Sequence, residues 1–470
     1  MKRVIMVETS PDYRVSRSSA ALFHTVLILT AAVYYLFLVT DGSFDFFKPL
    51  GFMERGMAFN SMLEHLRLGE FDVDPAAIGW ERFVRNGKTY TYFGIVPALL
   101  RLPLLLTDGL ARLDVTRLYC ALAATLALCF KFATVALIND ELPKSRLQAV
   151  AFFVIVLSLL FGEARIQFQK ASIYQETILW AGAIAAAFIY CAVRGLIAKR
   201  NFSTGLVAVM ASLAGLGLLT RVSAGLGLYI STGLLILALA WPAAGPLRDR
   251  LPQFVRGLAS KRTIVTLAIL LGFAALSGVV NYQRWGDPLK FADFRKYIAY
   301  VALPEYLERQ AAYGVFNVKR LWYRIVYYLF PIWTIIRPNG QLLFSEFEGR
   351  MLGAVEPPPA SFLLSDPLLL VLGGACLLRL PLLGRERLPP LTMLTAGGII
   401  MLGLSEVLGF IAILIRIAER EDAAFGPGNI LEQVVGAGAE HPLRTNIVNS
   451  GLARDSSDGP RSPDASLDLP

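Results

Sequence analysis

Long apolar runs recur along this chain, over 21–39, 117–138, 147–160, 177–193, 205–219, 226–241, 263–280, 367–378 and 391–415. Crossing about 30 Å of hydrocarbon takes about 20 apolar residues in a helix. Inside hydrocarbon, backbone N–H and C=O groups must pair within the segment itself, which selects helices over open sheets. The runs predict an all-α polytopic membrane protein with about nine transmembrane helices, several of them short. Composition agrees: 17% of the residues are charged, against about 25% in soluble domains.

Lys2, Arg3, Arg14 and Arg17 precede the first run, which is too long for a signal-peptide core. It reads as an uncleaved span with residues 1–20 in the cytoplasm, His24 being a neutral packed residue within it. The segment 93–110 is apolar too, but Pro97 and Pro103 break it and Arg101 interrupts it. If it spanned, three basic clusters would fall outside the cell: Arg194 with Lys199 and Arg200, Arg248 through Arg262, and Arg379 with Arg385 and Arg387. If it lies along the interface or re-enters, all three fall inside, as the Lys/Arg bias of cytoplasmic loops requires. The second arrangement is preferred. It gives a transmembrane domain over 21–418 with two large extracytoplasmic loops, 41–116 with amphipathic interfacial helices and 281–366. Gly, Pro, Ser and Asp dominate 419–470 and predict a disordered tail.

Several function classes are excluded or disfavoured. The formal charge of +9 follows from Lys and Arg held at the cytoplasmic face, and no nucleic-acid-binding motif accompanies it. The cysteines Cys120, Cys129, Cys191 and Cys376 all lie in apolar runs, where they act as small hydrophobes and mark neither a disulfide framework nor a zinc site. There is no GKS/GKT phosphate loop, no HExxH and no paired CxxC. GLGLLTRVSAGLGL (215–228) is glycine-rich inside an apolar hairpin, a pattern for close helix packing rather than a dinucleotide.

The first loop carries Asp41, Asp45, Glu54, Glu64, Glu70, Asp72, Asp74 and Glu81. A continuing helix would place Asp41 and Asp45 on one face at i, i+4; Glu54 follows after a short turn, while Glu64, Glu70 and Glu81 read as solvated faces. A polar stretch at 163–176, EARIQFQKASIYQE, offers Arg165 and Lys170 on the same side. Arg matches phosphate bidentately and Lys meets it as a point charge; both could equally snorkel at an interface. Arg221 lies between two apolar segments, where an ionisable group is expensive and tends to mark a functional site; Lys131 and Glu406 lie within the runs 117–138 and 391–415, from which each could reach an interface.

NSMLEHLRLGEFDVDP (60–75), NGKTYTYFGIVPALLRLPLLL (86–106), SIYQETILWAG (172–182), LTRVSAGLGL (219–228) and YQRWGDPLKF (282–291) together resemble the GT-C superfamily of integral-membrane glycosyltransferases. The likeness is to the bacterial branch similar to protein mannosyltransferases and Rgt-type core transferases. It covers 23–328 and departs at the C-terminus, where members continue with further spans and this chain turns polar. The resemblance implies a bacterial inner-membrane enzyme that moves a sugar from a polyprenyl-phosphate donor to an extracytoplasmic glycan, lipid or protein acceptor, with inversion. It implies Asp41 or Asp45 as general base with Glu54 as a further candidate, and Arg165, Lys170 and Arg221 at the donor phosphate. No metal ligand set is assigned, and a divalent metal is the one cofactor left open. The competing readings are an envelope polysaccharide polymerase or ligase, which would use basic residues such as Arg295 and Lys296, and a multi-span transporter or flippase.

Overall fold

A computed structural model describes residues 17–50, 56–106, 109, 112–141, 145–161, 171–198, 201–242, 247–302, 304–313 and 337–338. Residues 1–16, expected in the cytoplasm, the expected spans at 367–378 and 391–415 and the polar tail lie outside these, as does most of the second large loop. Among the described residues five helices are long and apolar enough to cross a membrane: Leu22–Val39, Thr116–Asp140, Ile173–Leu196, Val222–Ala240 and Lys261–Trp285. Two apolar helices, Gln148–Phe161 and Thr204–Thr220, are shorter. The chain is a multi-pass membrane protein.

In chain order, α1 is Arg17–Val39, α2 Ala58–Arg67 and α3 Pro75–Ile78; strands β1 Phe83–Arg85 and β2 Lys88–Tyr90 follow. Then come α4 (Val96–Leu100), α5 (Thr116–Glu141), α6 (Arg146–Phe161), α7 (Ile173–Val193), α8 (Thr204–Thr220) and α9 (Val222–Ala240). The last are α10 (Leu247–Leu258), α11 (Lys261–Trp285), α12 (Ile298–Val301) and α13 (Pro304–Tyr313). The all-α expectation needs one correction: β1 and β2 pair antiparallel, Phe83 opposite Tyr90. Asn86 and Gly87, both at positive φ, supply the two-residue turn whose twist suits a hairpin.

Small residues bring the spans together. Ala121, Ala123, Ala124 and Ala127 of α5 and Ala183 and Ala186 of α7 share one buried cluster, and such residues let helix axes approach in a bilayer. At the α8–α9 hairpin, a Cβ on Gly225 would overlap the Leu218 backbone. The glycines of 215–228 are therefore packing glycines, as their pattern suggests. Among the described residues the segment after Phe93 forms no helix long enough to span: α4 is five residues long and is followed by a short 3₁₀ turn, Leu102–Leu106. A second correction concerns the start of the second loop. Helix α11 runs past 280 to Trp285 and stops where Gly286 adopts φ +76, a left-handed cap that suits glycine.

The described part of the first loop folds as a layer on the span ends. Phe59, Met62, Val73, Ile78, Phe93 and Val96 form its core together with Ile173 of α7, Leu219 of α8 and Val280 of α11. A Cβ on Gly94 would overlap the carbonyls of Leu219 and Thr220, so the loop backbone rests directly on the α8–α9 hinge. Phe83 and Tyr90 of the hairpin pack with Trp285 and Tyr297, which joins the layer to the end of α11.

Candidate functional site

Proline shapes the segment that holds the centre of this layer. Pro97 sits in the first turn of α4, where its missing N–H costs nothing, and the next turn is rebuilt around Pro103. Between them Arg101 points inward and is 0% exposed. Its Nε and Nη2 donate to the Glu176 carboxylate at 3.4 and 2.5 Å. Nη2 also donates to Thr116 Oγ1 at 3.0 Å, and Nη1 to the Gly56 carbonyl at 3.4 Å and to Asn60 Oδ1. The Phe59 and Tyr119 rings lie 5.5 and 5.3 Å from the guanidinium carbon. Glu176 is fully buried in the first turn of α7, where a negative charge meets the positive end of the helix dipole. One ion pair thus ties α2, α4, α5 and α7 together. Beside it, the buried Asp114 accepts from the amides of Leu50 and Thr116 at 2.8 and 3.0 Å, fixing the end of the 40–50 turn to the start of α5.

Asp41 and Asp45 do not share a helical face. Helix α1 ends at Val39, and Asp41 and Gly42 both take positive φ, so the chain swings away from the axis. Asp41 is 82% exposed, with Oδ2 3.5 Å from Nη1 of Arg117, the same guanidinium nitrogen that donates to the Val39 carbonyl at 2.6 Å. Asp45 is exposed one turn further on. Arg221 forms the hinge between α8 and α9 in extended backbone conformation, φ −149°; its side chain is exposed. Because the hinge contacts Gly94, Arg221 stands on the same side of the spans as the first loop. Glu54, Arg165 and Lys170 lie outside the described residues, as does Glu406. Lys131 is half-buried in α5.

An acidic cluster occupies the layer's rim. His65 Nδ1 lies 3.2 Å from Asp72 Oδ1 and 3.6 Å from Glu70 Oε2, and its Nε2 lies 3.5 Å from Asp74 Oδ1. Ligand atoms of His65, Glu70 and Asp72 fall within 4.8 Å of one another, close enough to raise the question of a divalent ion. The cluster already has its cation. Lys88 Nζ sits 2.9 Å from Glu70 and 3.5 Å from Asp72, and the hydrogen bond to Glu70 holds its ammonium above the usual lysine value. An ion would have to displace this ammonium, so these residues fit an ion-pair network rather than a resident metal.

Another part of the layer's rim, reached across the hairpin where Arg85 pairs with Lys88, is basic and aromatic. Arg284, 3% exposed, donates from Nη1 to the Phe93 carbonyl at 2.7 Å and from Nη2 to Met62 Sδ at 3.6 Å, while its Nε has no partner among the described residues. Arg85 donates to the Arg284 carbonyl at 3.1 Å. Beyond the helix, Lys290 and Arg295 both bind the buried Asp293, at 3.2 and 3.1 Å. Burial alone would raise the Asp293 carboxyl, but Arg295 and Lys290 bring it down to about 2. Lys296 is pushed below its usual value by burial and by repulsion from Lys290, Arg85 and Arg295, against an opposing pull from Asp293. Glu81, expected to be a solvated face, is instead half-buried and accepts from the Tyr297 hydroxyl.

The Arg101–Glu176 pair and Arg284 escape a reading of sequence as site residues. Arg101 nonetheless carries a signal, since a lone charge in an apolar stretch needs a partner; the partner, 75 positions away, stands out only as part of the 172–182 stretch, and nothing there points to Arg101.

No family model matches the chain, and no curated protein does. Among solved structures it is similar to the Archaeoglobus fulgidus oligosaccharyltransferase in the apo form, at TM-score 0.40 and 14% identity, over 82% of this chain and 48% of that one. It is also similar to the archaeal oligosaccharyltransferase AglB from Archaeoglobus fulgidus in complex with an inhibitory peptide and a dolichol-phosphate. There the TM-score is 0.34 and the identity 13%, over 89% of this chain and 54% of that one. The chain spans about half the length of these proteins. Likeness at this level assigns no family, and the functional reading rests on the chain's own residues.

Proposed function

We propose that this chain is an integral-membrane glycosyltransferase that moves a sugar from a polyprenyl-phosphate donor to a glycan, lipid or protein acceptor at the loop-bearing face of the membrane. The observation that carries the reading is the folded polar layer fixed on the span ends by Arg101 and Glu176. It keeps an exposed carboxylate, Asp41, and the exposed cation of the α8–α9 hinge, Arg221, on one side of the bundle. That is the depth at which a membrane lipid presents its phosphate. Leu99, Leu100, Leu102 and Leu106, all exposed along the α4 segment, offer apolar surface to its tail.

In this mechanism Asp41 takes the proton of the acceptor hydroxyl, which requires direct or one-water contact. The acceptor oxygen attacks the anomeric carbon, the bond from that carbon to the phosphate oxygen breaks, and the phosphate leaves with the electron pair. Arg221 meets the charge that develops there, with Arg165 and Lys170 as further members of the set and Asp45 and Glu54 as alternative bases. Arg117 keeps Asp41 at the end of α1.

The test compares envelope glycans and lipid-linked sugars by mass spectrometry in a deletion strain complemented with wild type, Asp41→Asn, Asp45→Asn or Arg221→Gln. Loss of one sugar with accumulation of its carrier, restored by wild type but not by Asp41→Asn, is the expected result; a drop of at least about 100-fold fits removal of a general base. Full activity in both Asp variants would overturn the assignment of the base. The polymerase or ligase reading draws on the basic rim at Lys290, Arg295 and Lys296. It predicts a larger loss from Arg295→Gln with Lys296→Gln than from Asp41→Asn.

A further inference from the structure

Helix α10 joins two spans, following α9 and preceding α11. Helix α11 has 25 residues, about 37 Å at 1.5 Å per residue, and its other end holds the Trp285 contact with the first-loop layer. Helix α10 therefore lies at the end of the bundle remote from that layer, at the depth of lipid headgroups.

Its sequence is amphipathic. At 100° per residue, Leu251, Phe254, Val255 and Leu258 fall within an arc of about 100°. Arg248 and Arg250 flank the two edges of that arc, and Arg256 lies on the far side. The bundle covers only one margin of the apolar face. The Phe254 ring packs on Trp241 at 5.3 Å, and Gly257 approaches Ala240 so closely that a Cβ would lie 2.8 Å from its carbonyl oxygen. Leu251 and Val255 are left 53% and 62% exposed. Across 247–262 five cations, Arg248, Arg250, Arg256, Lys261 and Arg262, stand against Asp249 alone. Among the described residues none of the five is ion-paired to a carboxylate.

We infer that α10 lies in the plane of the membrane surface and binds anionic phospholipid headgroups, with Leu251 and Val255 inserted below them. Apolar exposure by itself would suit any greasy partner. The charge decides: an apolar stripe edged by arginines, set between two span ends, is complementary to an anionic leaflet, which attracts each Lys or Arg near its surface. This site is remote from the one proposed for sugar transfer and does not depend on it.

The test uses the purified full chain in nanodiscs of phosphatidylcholine with or without about 30% phosphatidylglycerol. Native mass spectrometry counts retained phosphatidylglycerol in wild type and in Arg248→Gln/Arg256→Gln/Lys261→Gln. A spin label at Val255→Cys, compared with one at Arg256→Cys, reports depth from its accessibility to oxygen and to a water-soluble nickel chelate. The expected results are retention that falls about fivefold or more in the triple variant, and a label at 255, but not at 256, shielded from nickel and open to oxygen. Undiminished retention in the triple variant, or a nickel-accessible label at 255, would overturn the inference. Dipolar broadening between labels on two copies would also overturn it, by assigning the face to self-association. The label reads out even if the triple variant folds poorly.

Discussion

Two arginines are withdrawn from water in the loop layer, and the protein treats them differently. Arg101 has a carboxylate, a hydroxyl, an amide oxygen and a carbonyl around it, plus two aromatic faces. Arg284 has one carbonyl and one thioether, and among the described residues no carboxylate touches it. A buried charge costs several kcal/mol unless it is paired and hydrogen-bonded. Arg101 meets that demand at the junction of four elements, so it works as a fastener. Arg284 sits in the last turn of α11, where the carbonyl end of the helix supplies partial negative charge. Its positive charge is thus only partly compensated, and it adds to the field of Arg85, Lys290, Arg295 and Lys296 on the basic rim.

The sharpest way to break this comparison is Glu176→Gln. It keeps the shape of the side chain and leaves Arg101 buried without its anion, which is expected to cost about 3–5 kcal/mol. Thermal unfolding in detergent should show the loss. Replacing both partners, Arg101→Met with Glu176→Met, should recover much of it, because an apolar pair of similar volume removes the uncompensated charge. If Glu176→Gln were neutral, the pair would not be what holds the layer to the spans.

Arg284→Met should cost less, about 1–2 kcal/mol, the worth of a charge-assisted hydrogen bond to the Phe93 carbonyl, offset by relief of an incompletely paired charge. The same unfolding measurement ranks the two. A loss as large as that of Glu176→Gln would mean that Arg284 has a counter-charge elsewhere in the chain, and the basic rim would lose its rationale.

The contrast also explains what could be read from the sequence. The spans over 21–39, 117–138, 177–193 and 263–280 were legible because hydrocarbon imposes length and composition on a helix, and the described helices follow them to within a few residues. The packing role of Gly225 was legible for the same reason. Glu176 was not, because its partner lies 75 residues away and local pattern carries no record of such a pairing. Asp41 and Asp45 share a helical face only if α1 continues through them; it ends at Val39, and Asp41 and Gly42 take positive φ. Glu81 looked solvated because nothing local announces Tyr297, 216 residues on. The spans at 367–378 and 391–415 fall outside the described residues, so the count of nine stands as an expectation.

The smallest effect concerns Asp293, which follows Arg284 in sequence yet is committed to Lys290 and Arg295. Its carboxyl is held at about 2, below the ordinary 3.8. A depressed folded-state pKa contributes stability above the unfolded value and loses it as pH falls through the folded one. The contribution should therefore be full above about pH 4 and disappear towards pH 2, and it amounts to about 1 kcal/mol once the exposure of Arg295 is allowed for. Unfolding followed from pH 5 to pH 2 should show a small acid-dependent loss in wild type that flattens in Asp293→Asn. If the slope persists in the variant, the acid-sensitive carboxylate lies elsewhere. If it vanishes, the Asp293 carboxylate is internal to the Lys290–Arg295 cluster, and Arg284 keeps its charge uncompensated by any described carboxylate.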